Sequence, residues 1–167
     1  MPIHHVSLPT GTSNYTVMRD FYLGSLQPFG YKVYMEQQGC FCGLQAPRGG
    51  PDIWLHCGGG DFPRLDASLS AEENLKGKSR VHVAIEVGSR NKVDEWYRAA
   101  LKAGGICNGA PGERSYAKGY YAAFVLDPLG NNIEAVYFNP LWLQAMKAAP
   151  ALLMGLAGVI FGRFVLG

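Results

Sequence analysis

The stretch that decides the fold is residues 119–134, Gly119-Tyr120-Tyr121-Ala122-Ala123-Phe124-Val125-Leu126-Asp127-Pro128-Leu129-Gly130-Asn131-Asn132-Ile133-Glu134. Apolar and aromatic side chains dominate residues 120–127 and residues 132–138, and each run predicts a β-strand. Between them, residues 127–131 have the Asp, Pro, Gly and Asn chemistry of a tight turn. The sequence therefore predicts a hairpin that carries Glu134 on its second strand.

The chain repeats one arrangement of strands and helices. Residues 3–8 (IHHVSL) match residues 80–85 (RVHVAI) in pattern, and residues 52–55 (DIWL) match residues 132–135 (NIEA). Two copies of one supersecondary unit favour a pseudo-twofold arrangement, with equivalent positions facing a shared cleft. Periodicity predicts a strand, a helix and three strands in each copy: 3–9, 14–26, 31–37, 40–45 and 52–57, then 80–87, 91–103, 106–109, 120–127 and 132–138.

A long segment joins the two copies. Residues 58–79 are rich in Gly, Pro, Asp and Ser, which predicts a loop. Ser70 followed by Glu73 has the spacing of a capping box. This spacing predicts a short helix over residues 70–75.

The composition excludes several classes of protein. With 167 residues, 48% of them apolar and 17% charged, the chain has the size and composition of one globular domain. A net charge of +2, without a basic cluster interleaved with aromatic residues, argues against nucleic-acid binding. The first residues, MPIHH, lack the basic and apolar regions of a secretory signal, so we expect a cytoplasmic protein.

The four cysteines, Cys40, Cys42, Cys57 and Cys107, include no C-x-x-C pair, so a zinc knuckle is not expected. We interpret them as small hydrophobic residues in a reducing compartment. Cys40 and Cys42 share a face if their segment is a strand.

The predicted symmetry brings four positions together, namely His5, Trp54, His82 and Glu134. Each lies on a different predicted strand. Two imidazoles and one carboxylate form a facial triad, which leaves open positions on a metal for water or a pair of substrate oxygens. The alternative for either histidine, taken alone, is an ordinary hydrogen-bonded residue.

At this point the residues resemble a known family, the vicinal oxygen chelate superfamily of glyoxalases, bleomycin-resistance proteins and dioxygenases. The resemblance covers roughly residues 2–138. It implies an α+β fold in which paired βαβββ modules form a curved mixed sheet around a metal and substrate cup. The residues that carry it are Ile3-His4-His5-Val6, the helix ending at 21–31, Val81-His82-Val83-Ala84-Ile85 and the hairpin 119–134.

The resemblance implies a metal-dependent enzyme, lyase, isomerase or dioxygenase-like, that acts on a small oxygenated substrate. Its cofactor is then a divalent ion, Fe, Mn, Zn, Ni or Co, on His5, His82 and Glu134. Glu134 is also the candidate catalytic residue. The alternative is a metal-free protein of the bleomycin-resistance type that binds and sequesters a small molecule. In this family the cup closes within one chain or across two, so a homodimer is an expected partner.

One position departs from the family pattern. Glyoxalase I enzymes carry a fourth ligand, usually Glu, where this chain has Trp54. His56 lies two residues later and is a candidate replacement, while Trp54 is suited to stacking on a ring-bearing ligand. The resemblance places further candidate substrate contacts in the stretch before and within the last hairpin: Arg114, Lys118, Tyr120 and Tyr121.

The resemblance divides the chain into a domain over 1–138 and an apolar C-terminal tail over 139–167. The modules span about 1–57 and 80–138, with the loop 58–79 between them. Arg163 is the only ionisable side chain from Ala148 to Gly167. Three interpretations of the tail stand side by side: a helix packed on its own domain or on a dimer partner, a membrane-associating helix within 141–167, and a flexible tail.

Overall fold

Two βαβββ units follow one another in the computed structural model, which describes residues 3–76, 81–115 and 117–140. This is the α+β architecture that the repeat predicts. The first unit comprises β1 (Val6–Pro9), α1 (Tyr15–Leu26), a 3-10 turn (Gln27–Phe29), β2 (Lys32–Gln37), β3 (Phe41–Gln45) and β4 (Pro51–His56). After α2 (Ala71–Leu75), the second unit comprises β5 (His82–Glu86), α3 (Arg90–Lys102), β6 (Ile106–Glu113), β7 (Tyr120–Leu126) and β8 (Asn132–Phe138).

Each unit contributes its own four-stranded mixed sheet. The strand orders are β1-β4-β3-β2 and β5-β8-β7-β6, and in both sheets only the first pair is parallel. Val6 lies opposite Ile53 in the first sheet, and Val83 lies opposite Ile133 in the second. The two units therefore share topology and register, which confirms the internal repeat.

The sixth strand is longer than predicted. The sequence pattern predicts a strand over 106–109, whereas β6 continues to Glu113. Gly109, Pro111 and Gly112 interrupt the strand pattern because Gly and Pro weaken ladders. β6 nevertheless stays paired with β7, with register shifts between Cys107 and Gly109 and between Gly109 and Gly112. Bulges of this kind keep a strand paired where the sequence alone indicates its end.

The core lies between the two helices and the helix-facing sides of the sheets. α1 packs against α3, and the large side chains of this contact are fully buried. The lack of a side chain at Gly105 allows its backbone to pack closely against Val125: a Cβ added there would lie 2.3 Å from a methyl carbon of Val125. The two helices turn a set of almost fully buried side chains toward the core: Tyr15, Met18, Phe21, Tyr22 and Leu26 of α1 and Val93, Trp96 and Ala100 of α3.

A buried carboxylate joins the two units. Asp127, in the turn between β7 and β8, accepts hydrogen bonds from the backbone N–H groups of Leu129 and Asn131 and from the Asn131 side chain. The hydroxyl of Tyr22, on α1 of the first unit, donates to Asp127 Oδ2 at 3.0 Å. Burial raises the pKa of Asp127, while these hydrogen bonds act in the opposite direction. The turn predicted from Pro and Gly is thus also an anchor between units.

The connecting segment contains the predicted short helix. Ser70 Oγ accepts from the Glu73 backbone N–H, and a Glu73 carboxylate oxygen accepts from the Ser70 N–H at 2.9 Å, which completes the capping box. Within the described part of the chain, no helix is long and apolar enough to cross a membrane. The predictions for the tail from residue 141 onward fall outside the described residues.

Candidate metal and substrate site

Strand alternation places His82 and Glu134 on the face of their sheet that points away from the helices. Val6 of β1 and Val83 and Ile85 of β5 pack against the core. His82 and Ala84 therefore point to the opposite face of their sheet, because neighbouring side chains of a strand alternate. His5 and Ser7 occupy the equivalent positions in the first unit.

The second unit brings a histidine and a carboxylate together. His82 Nε2 lies 2.9 Å from Glu134 Oε2, and the Tyr120 hydroxyl donates to Glu134 Oε1 at 2.7 Å. Glu134 is only 3% exposed, whereas the His82 side chain is 49% exposed. A buried carboxylate needs such donors, because desolvation without hydrogen bonds is costly. The pair is thus anchored on the protein side and open on the imidazole side.

Two asparagines hold the other side of the His82 ring. The Asn132 amide lies 2.7 Å from His82 Nδ1, so this nitrogen has a hydrogen-bond partner whichever way the amide is turned. Asn108 Nδ2 donates to Asn132 Oδ1 at 3.0 Å and holds that amide in place. Neither asparagine stands out in the sequence, and Asn132 is the register partner of His82 in the folded sheet.

A guanidinium and an aromatic ring lie beside this pair. Arg114 stacks over the Phe124 ring, with its guanidinium carbon 4.9 Å from the centroid, and donates to the backbone oxygens of Ala110 and Ala122. The ring centroid of Phe124 is 6.1 Å from that of His82. Arg114 therefore brings a fixed positive charge to the face that carries Glu134.

The two predicted tyrosines lie on opposite sides of β7. Tyr120 contacts Glu134, but the Tyr121 hydroxyl donates to Asp94 Oδ1 of α3 at 2.9 Å. The prediction that both line one cleft is corrected here, because consecutive residues of a strand alternate in direction. Lys118 is exposed in the turn between β6 and β7.

The first unit holds the equivalent positions with different chemistry. Ser7 lies opposite Trp54, as Ala84 lies opposite Glu134, so Trp54 takes the place of the carboxylate. His5 is exposed, and its ring meets Trp54 at 6.4 Å between centroids. The Trp54 ring lies across Gly43, where an added Cβ would come within 2.9 Å of it.

His56 is held by a residue of the neighbouring strand. Its Nδ1 lies 2.9 Å from Ser7 Oγ, on the same strand face as Trp54. The structure thus places His56 in the first unit, beside Trp54 and Phe41.

Two of the three predicted ligands meet within one chain, and the third does not join them. Over residues 3–76, 81–115 and 117–140, no group of three or more His, Cys, Asp or Glu side chains is placed to hold a metal ion. His82 and Glu134 form one half-site, and His5 with Trp54 forms the other. The complete triad stays a prediction.

Comparison with known proteins agrees with this fold. The model of the Glyoxalase/Bleomycin resistance protein/Dioxygenase superfamily matches residues 3–135. The chain belongs to this superfamily. No protein of curated function gives a match.

Solved members of the superfamily share the fold at low sequence identity. A glyoxylase/bleomycin resistance protein/dioxygenase domain from Frankia sp. EAN1pec is 20% identical, with a TM-score of 0.58, and the match covers 83% of this chain and 98% of that one. A glyoxalase/bleomycin resistance protein/dioxygenase family enzyme from Burkholderia phytofirmans PsJN is 20% identical, with a TM-score of 0.56 and coverages of 83% and 100%. A lactoylglutathione lyase from Agrobacterium tumefaciens is 17% identical, with a TM-score of 0.53 and coverages of 81% and 92%.

Proposed function

We propose that this superfamily member is a metal-dependent enzyme that acts on a small oxygenated substrate. Its ligands are His82, Glu134 and His5, and its cofactor is a divalent ion, Fe, Mn, Zn, Ni or Co. The observation that supports the proposal is the 2.9 Å approach of His82 Nε2 to Glu134 Oε2 on an open sheet face. Imidazole nitrogens and a carboxylate are suitable donors for these ions.

The surrounding side chains fit a metal at this pair. To ligate through Nε2, His82 must carry its proton on Nδ1, where it needs an acceptor. The Asn132 amide meets that need by turning so that Oδ1 faces His82, and Asn108 can turn in the same way. The network therefore accommodates the protonated and the ligating forms of Nε2 without losing a hydrogen bond. Tyr120 holds Glu134 in either case.

His5 completes the triad if the first unit meets the second unit face to face. His5 is equivalent to His82 in the repeat and lies exposed on the outer face. A homodimer in which the first unit of one protomer covers the second unit of its partner would bring these faces together. Several large apolar side chains are exposed in the single chain, and a partner protomer could cover them, which supports this arrangement: Ile3, Val33, Tyr34, Met35, Val81 and Phe138.

The chain's own groups then define what the site does. A divalent ion held by His82, Glu134 and His5 would supply Lewis-acid stabilisation to substrate oxygens. Arg114 offers a cation for a carboxylate or phosphate group of the substrate. Trp54 and Phe124 offer flat apolar surfaces. Glu134 could hold or accept a proton beside the substrate only in a state in which it does not ligate the ion.

Metal content tests the proposal directly. Untagged protein purified without chelator should carry close to one equivalent of a divalent metal, measured by elemental mass spectrometry. His82→Ala and Glu134→Ala should remove it. Glu95→Ala is the matched control and should leave it unchanged, because Glu95 lies on α3 and is paired there with Lys92. Unchanged metal in His82→Ala would refute this site.

A mixing experiment tests whether two chains share the site. His5→Ala and Glu134→Ala protomers each lack one ligand of every shared site in their own homodimers. A mixed dimer, however, has one complete site, with His5 from one protomer and His82 and Glu134 from the other. Co-refolded mixtures should therefore regain part of the metal that both parents lack. No recovery despite exchange of subunits would contradict the shared site.

The second candidate function is metal-free sequestration of a planar small molecule. Trp54, with Phe41 at 6.1 Å between ring centroids, supports it as a partly exposed aromatic surface. Tight binding in the presence of a chelator, with no metal retained after reconstitution, would favour this function over the enzyme.

A further inference from the structure

Two cysteines face each other at one end of the first sheet. The last ladder pair between β3 and β4 joins Phe41 to His56, and the next residues outward are Cys40 and Cys57. The Cys57 backbone N–H donates to the Cys40 oxygen at 2.8 Å. The two residues therefore lie opposite each other just beyond the ladder, while the Cys40 N–H donates to the Gln37 oxygen of the preceding turn.

The spacing of such a pair is compatible with a disulfide. Directly opposed residues of antiparallel strands have Cα atoms about 4.5–5.5 Å apart. Disulfides span Cα separations of about 4.4–6.8 Å. The two side chains are close enough to interact: a hydrogen bond with the Cys57 thiol raises the pKa of the Cys40 thiol. Both cysteines are free thiols and are partly exposed.

We propose that Cys40 and Cys57 are a site of reversible oxidative modification, at which a low-molecular-weight disulfide such as oxidised glutathione converts the two thiols to one cross-strand disulfide. The Cys57 thiolate attacks one sulfur of the oxidant, which forms a mixed disulfide and releases one glutathione thiolate. The Cys40 thiolate then attacks the Cys57 sulfur and releases the second glutathione. Two protein thiols are oxidised, one disulfide is reduced to two thiols, and the thiol protons pass to the released thiolates.

The other two cysteines are placed differently. Cys42 is fully buried in the core, opposite Leu55. Cys107 is exposed on β6 of the second unit. The cross-link is therefore specific to the first unit.

The disulfide would restrain the half-site that carries Trp54. It closes a loop that contains β3 and β4, next to the pair of Phe41 and His56. Trp54 lies on the same face as these two side chains. Oxidation would thus fix the ends of the two strands under the aromatic surface. It requires no metal and stands whether or not the proposed function does.

Intact-mass analysis and peptide mapping of the full chain after treatment with oxidised glutathione test the proposal. Wild type should lose the mass of two hydrogens and yield a peptide linking Cys40 to Cys57, and dithiothreitol should reverse this. Cys40→Ser should instead keep one glutathione on Cys57, because the resolving thiol is missing. Cys107→Ser is the matched control and should cross-link like wild type.

Two results would overturn the proposal. One is wild type in which Cys40 and Cys57 each carry a glutathione and no cross-link forms. The other is an intramolecular disulfide of Cys57 that forms in Cys40→Ser as readily as in wild type. Differential alkylation of wild type before and after oxidation gives the same answer without any variant, so a folding defect in Cys40→Ser leaves the test decisive. A rise in Tm on oxidation, absent from Cys57→Ser, is the expected companion result.

Discussion

Tyr22→Phe is the substitution that most sharply tests how the two units are joined. The Tyr22 hydroxyl donates to Asp127 Oδ2 at 3.0 Å, across the boundary between α1 and the β7–β8 turn. Both side chains are buried. Phenylalanine keeps the ring in the core and removes only the donor. Oδ2 is then left with the Asn131 amide as its remaining partner in the described structure.

The expected loss follows from the charge of the acceptor. A hydrogen bond to an ionised group contributes about 1.5–3 kcal/mol, and a neutral one about 0.5–1.5 kcal/mol. We therefore expect Tyr22→Phe to cost about 2 kcal/mol when Asp127 is ionised. For a chain of this length, that corresponds to a fall in Tm of roughly 4–8 °C.

The pKa of Asp127 gives the loss a pH dependence. Because burial raises this pKa in the folded state, the folded protein holds the proton more tightly than the unfolded chain does. The stability from this proton is present at low pH and is lost as pH rises through the raised pKa. The Tyr22 hydroxyl lowers that pKa. Its removal raises the pKa further, so the variant should be penalised more at pH 8 than at pH 4.

Urea unfolding at both pH values measures the effect. Tyr31→Phe is the matched control, since its hydroxyl donates to Asp52 Oδ2 at 2.7 Å within the first unit and is only partly buried. It should cost less than Tyr22→Phe at pH 8. A loss for Tyr22→Phe that is equal at the two pH values would refute the role of an ionised Asp127. A loss of stability in Tyr22→Phe that is smaller than the loss in Tyr31→Phe would refute the argument that burial strengthens the hydrogen bond between Tyr22 and Asp127.

Two other predictions concern the half-sites. Gly43→Ala should displace the Trp54 ring, because its Cβ would lie 2.9 Å from that ring; the indole N–H signal of Trp54 in a ¹⁵N spectrum should shift, whereas Gly50→Ala, which has open space around it, should leave the signal in place. Asn132→Ala should lower metal affinity about 10-fold, since it removes the acceptor for His82 Nδ1–H; titration calorimetry measures this, and unchanged affinity would contradict the role of the amide.

The sequence predicts the internal repeat well because each strand and helix pattern that defines it involves residues close together in the chain. Equivalence of Trp54 and Glu134 follows from aligned strand patterns, and the parallel register bears it out. Face assignment is harder in β7, where Tyr120 and Tyr121 are both aromatic and only alternation separates them. Asn132 does not stand out in the sequence, because the predicted triad contains only imidazoles and a carboxylate; the register of β5 and β8 sets it beside His82.

The relative placement of the two units could not be predicted from their separate patterns. It depends on the packing of α1 against α3, with Gly105 close to Val125 and Phe21, and on the buried bond between Tyr22 and Asp127. These contacts connect residues far apart in the chain. Sequence periodicity identifies the face that each helix buries, but not the partner that it meets. For the same reason the sequence leaves open whether the cup closes within one chain or across two.

The shared register of the two units has a consequence for specialisation. One scaffold occurs twice, yet the position opposite Ser7 holds an indole and the position opposite Ala84 holds a carboxylate. The titratable pair of His82 and Glu134 therefore lies in one half, while the equivalent position of the other half holds an aromatic ring. If the proposed function holds, a change at Trp54 would alter the shape of that aromatic surface and leave the pair intact.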